Sequence, residues 1–158
     1  MASIVVLGLG NWLLRDEGFG VHVVKQLEKL DLPGVELVDG GTSGIALLRF
    51  VEAATHLIIV DAINAGLLPG KLLKLNGEEL ARSIPQKFSQ HQLSFHEILS
   101  LAYFRGQTPE EIVVIGIQPH SIEWGCELTP IVRSKVKSAV KMVCEQLGTW
   151  QANYLAKV

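Results

Sequence analysis

Three observations predict an α/β fold for this chain. Short apolar runs alternate with segments of helical period. The internal runs are apolar throughout rather than alternating with polar residues. No linker, repeat or low-complexity stretch divides the 158 residues. Strands buried on both faces read as continuous apolar runs, and such strands belong to parallel sheets covered by helices. The expectation is a single domain over residues 1–158. It would be a three-layer sandwich, with a mostly parallel, twisted, five-stranded sheet between helices.

The elements follow in order. Ile4 to Leu7 is a β-branched run flanked by Gly8 and Gly10, and reads as a buried strand. From Gly18 to Leu30 the residues Phe19, Val23, Val24, Leu27 and Leu30 fall at helical spacing, closed by Pro33-Gly34. Val35 to Val38 is a second strand, ending in Asp39-Gly40-Gly41-Thr42. Ile45 to Ala54 is predicted helical, with Ala46, Leu47, Phe50 and Val51 on one face. Leu57 to Val60 is a third buried strand, ending at Asp61.

Residues 71–75 mix lysines with leucines, as an antiparallel edge strand would, because lysine discourages pairing with another chain. Ile84 to Gln92 shows no period and reads as a loop. Ser94 and Glu97 fit a capping box that would start a helix running to about Phe104. Ile112 to Ile117 is the last buried strand. Thr129-Pro130 reads as a cap with proline at the first helical position, opening a helix to about Leu147. Residues 148–158 read as a loose C-terminal tail.

Composition narrows the function classes. Apolar residues make up 48% and charged residues 19%, with a net charge of −2 and no basic stripe. Neither nucleic acid nor an anionic membrane is an expected partner. Cys126 and Cys144 lack CxxC or zinc-type spacing, which suits free thiols in a reducing, cytoplasmic setting. Met1-Ala2-Ser3 runs straight into the first strand, so neither a signal peptide nor a membrane span is expected.

Right-handed crossovers place the C-terminal ends of parallel strands on one sheet edge, where ligands of such sheets bind. Glu17, Asp61 and His91 each follow a predicted element and can converge there. Two carboxylates and an imidazole suit nickel or zinc, and three ligands leave positions for a substrate. Asp16 reads as a helix-capping acid, which leaves Glu17 without a capping role. Asp39 stands after the second strand as Asp61 does after the third, and Gly40-Gly41 suggests a close backbone approach to a ligand. His120 follows the last strand and is a second candidate ligand or substrate contact. His22 and His96 read as structural and His56 as exposed.

Gly8-Leu9-Gly10-Asn11-Trp12-Leu13 tempts a dinucleotide reading, but Leu13 stands where the fingerprint needs its third glycine. No nucleotide cofactor is therefore expected. The chain has no GxSxG elbow and no HExxH motif, and no histidine spacing singles out Cys126 as a nucleophile.

Taken in order, these motifs resemble the hydrogenase maturation proteases. The N-terminal part is Gly8-Leu9-Gly10-Asn11, then Leu14-Arg15-Asp16-Glu17-Gly18-Phe19-Gly20. Asp39-Gly40-Gly41-Thr42, Ile58-Ile59-Val60-Asp61-Ala62, His91-Gln92-Leu93 and Leu128-Thr129-Pro130 follow. The resemblance covers the chain to about residue 147.

It implies an endopeptidase that removes a C-terminal extension from the large subunit of [NiFe] hydrogenase once nickel has been inserted. The nickel would be supplied by the substrate. Glu17, Asp61 and His91 match the family's metal-binding residues, with Asp61 and Glu17 the candidate catalytic acids of an aspartyl-type protease. Asp39 matches an aspartate linked to substrate recognition. The expected partner is the precursor large subunit, processed by a monomer, with Trp12 and Trp124 shaping selectivity. The rivals are a nickel-binding assembly factor without catalysis, a nucleotide-dependent enzyme, and a thiol hydrolase working through Cys126.

Overall fold

The computed structural model describes residues 3–77, 79 and 90–156, and the side chains among these except at 90–94 and 154–156. Five strands form one sheet: β1 (Ile4–Leu9), β2 (Val35–Gly41), β3 (His56–Ala62), β4 (Leu72–Asn76) and β5 (Glu111–Ile117). Their order is β2-β1-β3-β5-β4. The pairs β1–β2, β1–β3 and β3–β5 are parallel, and edge strand β4 runs antiparallel to β5. Among the described residues, five helices lie about the sheet: α1 (Phe19–Leu27), α2 (Leu48–Ala53), α3 (Gln90–Phe104), α4 (Pro130–Arg133) and α5 (Val136–Ala156). Short 3₁₀ turns at Arg15–Gly18 and Gly44–Leu47 lead into α1 and α2.

Strand alternation explains the two cores. Ile4 and Val6 of β1, Ile58 and Val60 of β3, and Val113 and Ile115 of β5 point to the face covered by α1 and α5. Val5 and Leu7, Leu57 and Ile59, and Val114 point to the opposite face, covered by α2 and α3. Every internal position is therefore buried, which is why the internal strands carry no polar alternation. α1 lies very close to the sheet at Gly20, where a Cβ would collide with the Val60 carbonyl.

Several local expectations change. The helix containing Ser94 begins at Gln90, so Ser94 and Glu97 lie inside it rather than at its start. His91, expected in a loop, lies in the first turn of that helix. Residues 80–89, most of the expected loop, lie outside the described residues. The C-terminal helix is two pieces, α4 and α5.

Residues 148–156, expected as a loose tail, continue α5. Trp150 there is 4% exposed, and its Nε1–H donates to Glu111 Oε2 at 2.8 Å. Its ring meets His56 edge-on with centroids 4.9 Å apart. His56 is consequently half-buried rather than exposed. Ala46 and Leu30, expected on buried helix faces, are both exposed.

Candidate active site

The strand order creates one special place. β1 leads to β2 on one side, and the chain then crosses to β3 on the other side of β1. The crossovers diverge between β1 and β3, and a crevice opens beyond their C-terminal ends. The loop after β1 carries Glu17, and β3 ends with Asp61. Both side chains are buried, Glu17 at 7% and Asp61 at 2% exposed.

Gly10 shows that the backbone of Glu17 and the carboxylate of Asp61 approach one spot. It has φ +117°, a conformation that favours glycine. A Cβ there would collide with the Glu17 carbonyl oxygen and lie 3.3 Å from Asp61 Oδ1. Asp61 Oδ1 also accepts the Ala62 N–H at 2.8 Å, which restrains its carboxylate. The third expected ligand, His91, has its backbone in α3, but its side chain lies outside the described residues. Among the described residues no third histidine, cysteine or acid joins the pair in a metal-holding group.

Asp16 has a different role from the cap expected of it. α1 has no side-chain cap, and Asp16 is 0% exposed. Its carboxylate accepts four hydrogen bonds. These come from His120 N (2.9 Å), Ser121 N (3.0 Å), Thr129 N (2.8 Å) and Thr129 Oγ1 (2.8 Å). Thr129, expected as a cap, spends its hydroxyl on Asp16 and does not cap α4.

Three backbone hydrogen bonds extend this latch: Arg15 N to Gly125 O, Gly125 N to Leu13 O, and Asp16 N to Ser121 O. The loops after β1 and β5 are thereby locked together beside the carboxylates. Arg15 within this latch has φ 47°, the one positive value on a non-glycine among the described residues.

The remaining candidates surround the crevice. Asp39 and Thr42 are exposed, Gly40 is buried, and Gly41 accepts the Gly10 N–H at 3.0 Å. The end of β2 is thus tied to the Gly10 loop. His120 contributes a backbone N–H to Asp16 while its side chain is exposed. Gln118, which sequence reasoning missed, is buried and organises the loop after Asp61. Its Oε1 accepts Ala65 N–H and Leu67 N–H at 2.8 and 3.2 Å, and its Nε2 donates to Asn64 Oδ1 at 3.2 Å. A polar residue directly after an apolar strand was the only sequence signal for it. Large apolar side chains stand exposed on these same loops, among them Trp12, Leu68 (83%) and Trp124 (78%).

A sequence profile of the hydrogenase maturation proteases matches residues 21–146. The chain belongs to the hydrogenase maturation protease family. It is 41% identical over 151 residues to the hydrogenase expression/formation protein HupD of Bradyrhizobium diazoefficiens, covering 93% of this chain and 79% of the relative. It is 41% identical over 150 residues to the hydrogenase 2 maturation protease of Escherichia coli, covering 91% and 90%. The structure superposes on the E. coli hydrogenase maturating endopeptidase HybD with a TM-score of 0.87, at 38% identity over 92% of each chain. As a maturation protease the chain is a peptidase, and the α/β sandwich expected of it is the fold these relatives share. Among the described residues no helix is long and apolar enough to cross a membrane.

Proposed function

We propose that this maturation protease removes a C-terminal extension from the large subunit of a [NiFe] hydrogenase, and that it reads nickel already seated in that substrate. The observation that carries the reading is the burial of two acids, Glu17 and Asp61, on the two chain segments that approach Gly10 at the switch point of the sheet. Carboxylate oxygens are suitable donors for a borderline divalent ion, and His91 would add an imidazole. A site completed by the substrate's own metal would leave unloaded precursor unrecognised. Exposed Trp12, Leu68 and Trp124 around the crevice suit a protein partner better than a small molecule.

Peptide hydrolysis adds water to the scissile carbonyl carbon, breaks the C–N bond and delivers a proton to the leaving amine. Glu17, Asp61 and His91 would hold the substrate's nickel, and that grip would position the scissile bond, an orientation effect. An acid of the two, Asp61 or Glu17, would take the proton from the attacking water and return it to the leaving amine. Asp39 and the Gly40-Gly41-Thr42 turn, tied to Gly10, would contact the chain leading to the scissile bond, with exposed His120 on the opposite rim.

The test compares nickel-loaded and nickel-free precursor, resolving product by mass. The loaded form alone should be shortened. Asp61→Asn, Glu17→Gln and His91→Gln should each slow processing by about a hundredfold or more, the scale of losing a catalytic proton acceptor. Equal cleavage of both precursors would remove the nickel checkpoint. Metal binding without any shortening would leave an assembly factor in place of a protease.

A further inference from the structure

A second concavity lies on the α1–α5 face, outside the carboxylate crevice. It encloses about 710 Å³, within the size range of ligand and peptide pockets. Leu30, Leu128, Val136 and Val140 form its apolar walls. Lys29, Arg133 and Lys137 bring three cations to it against the single acid Glu127, which pairs with Arg133 at 3.5 Å and leaves an excess of two positive charges. Arg133 is held in place by donating to the Leu128 carbonyl at 3.2 Å.

His22 also lines the cavity, and its Nε2 is buried without a hydrogen-bond partner among the described residues. Burial, then Lys25 and Arg133, hold this imidazole below its ordinary value, against a smaller opposing effect of Asp16. It is therefore neutral at pH 7, and Nε2 can exchange one hydrogen bond with an incoming group.

Two residues of its lining adjoin the active-site loops along the chain. His22 lies one turn beyond the 3₁₀ turn that carries Glu17, and Cys126 directly follows the Gly125 that pairs with Arg15. A protein that presents a scissile bond to Glu17 and Asp61 is brought alongside this surface.

We propose that the cavity docks an acidic segment of the same substrate protein, its carboxylates meeting Lys29, Arg133 and Lys137 and its apolar side chains filling the walls. The inference rests on the endopeptidase reading above. Charge complementarity selects the occupant: an excess of two positive charges beside apolar walls, with Lys29 and Lys137 outside the Arg133–Glu127 pair, favours an anionic peptide over a neutral or basic one. The binding determinant is then separate from the nickel. It accounts for substrate selection by surface charge in addition to metal occupancy.

The experiment uses the full chain and purified nickel-loaded precursor. Lys29→Glu and Lys137→Glu are combined, because both side chains are exposed and their reversal spares the core. Lys74→Glu, an exposed lysine on the β4 edge, is the charge control. The double variant should raise KM about tenfold or more and leave kcat within about twofold, the pattern of lost binding without lost chemistry. Added salt should raise the wild-type KM steeply and that of the double variant weakly. Normal processing with an unchanged KM and salt response in the double variant would overturn the docking inference and leave the endopeptidase standing. A KM change equal to that of Lys74→Glu would also overturn it. No processing by the wild-type protein would remove the endopeptidase reading and the docking with it.

Discussion

At the residue scale, the adjacent acids Asp16 and Glu17 divide two kinds of work. Glu17 is buried with its backbone against Gly10, which Asp61 also approaches, while Asp16 accepts four hydrogen bonds that close the neighbouring loops. Asp16→Ala would leave three buried or part-buried backbone donors and a threonine hydroxyl without their acceptor. Hydrogen bonds to a charged group are each worth about 1.5–3 kcal/mol, so a loss of at least about 3 kcal/mol is expected in urea unfolding. A loss below about 1 kcal/mol would show that the latch is not a structural support. The sequence showed that an acidic doublet stood at the start of α1. It did not show which acid was which, because the partners of Asp16 lie more than 100 positions away in the chain.

At the element scale, local patterns were reliable for the strands and less so for helix ends. The β-branched runs of β1, β3 and β5 were legible because burial on both faces leaves no position for a polar residue. The β4 edge strand was legible through its lysines. The start of α3 was not. A capping-box pattern inside a helix looks the same as one at its start, and Gln90-His91-Gln92 carries no strong signal against helix.

The end of α5 was misread for a related reason. Its hydrophobic spacing thins after Leu147, but Trp150 anchors the last turns between His56 and Glu111, and Gln151 Nε2 donates to the Pro33 carbonyl at 3.3 Å. Trp150→Ala should therefore cost about 3–5 kcal/mol, as for other buried tryptophans. Thermal unfolding is the check, and truncation before residue 148 should be at least as harmful. An unchanged melting temperature in both variants would restore the loose-tail expectation.

At the scale of the whole molecule, the helices covering the sheet bury imidazoles as well as aliphatic side chains. Burial lowers the values of His22 and His96 below 6.5, with Lys25 and Arg133 adding to the effect at His22. Below 6.5 the unfolded chain binds more protons at these positions than the folded one. Stability is thus intact above 6.5 and falls as the pH drops through the folded values. The melting temperature should decline on acidification below 6.5, and His22→Gln with His96→Gln should flatten that decline. Parallel declines in the two proteins would assign the acid sensitivity to other groups.

The sequence by itself determined the layer architecture, the edge strand and the motif residues Glu17, Asp61 and His91, because strand burial and short motifs are local properties. Tertiary structure decided that the Glu17 backbone and the Asp61 carboxylate converge on Gly10, that Asp16 is a latch, and that α1 and α5 enclose a cationic cavity. All three depend on strand order and on contacts between distant segments. A strand run reads the same in sequence wherever it sits in the sheet. Only the placement of β1 beside β3 opens the crevice, and only the packing of α5 against α1 brings Lys137 and Lys29 to one cavity.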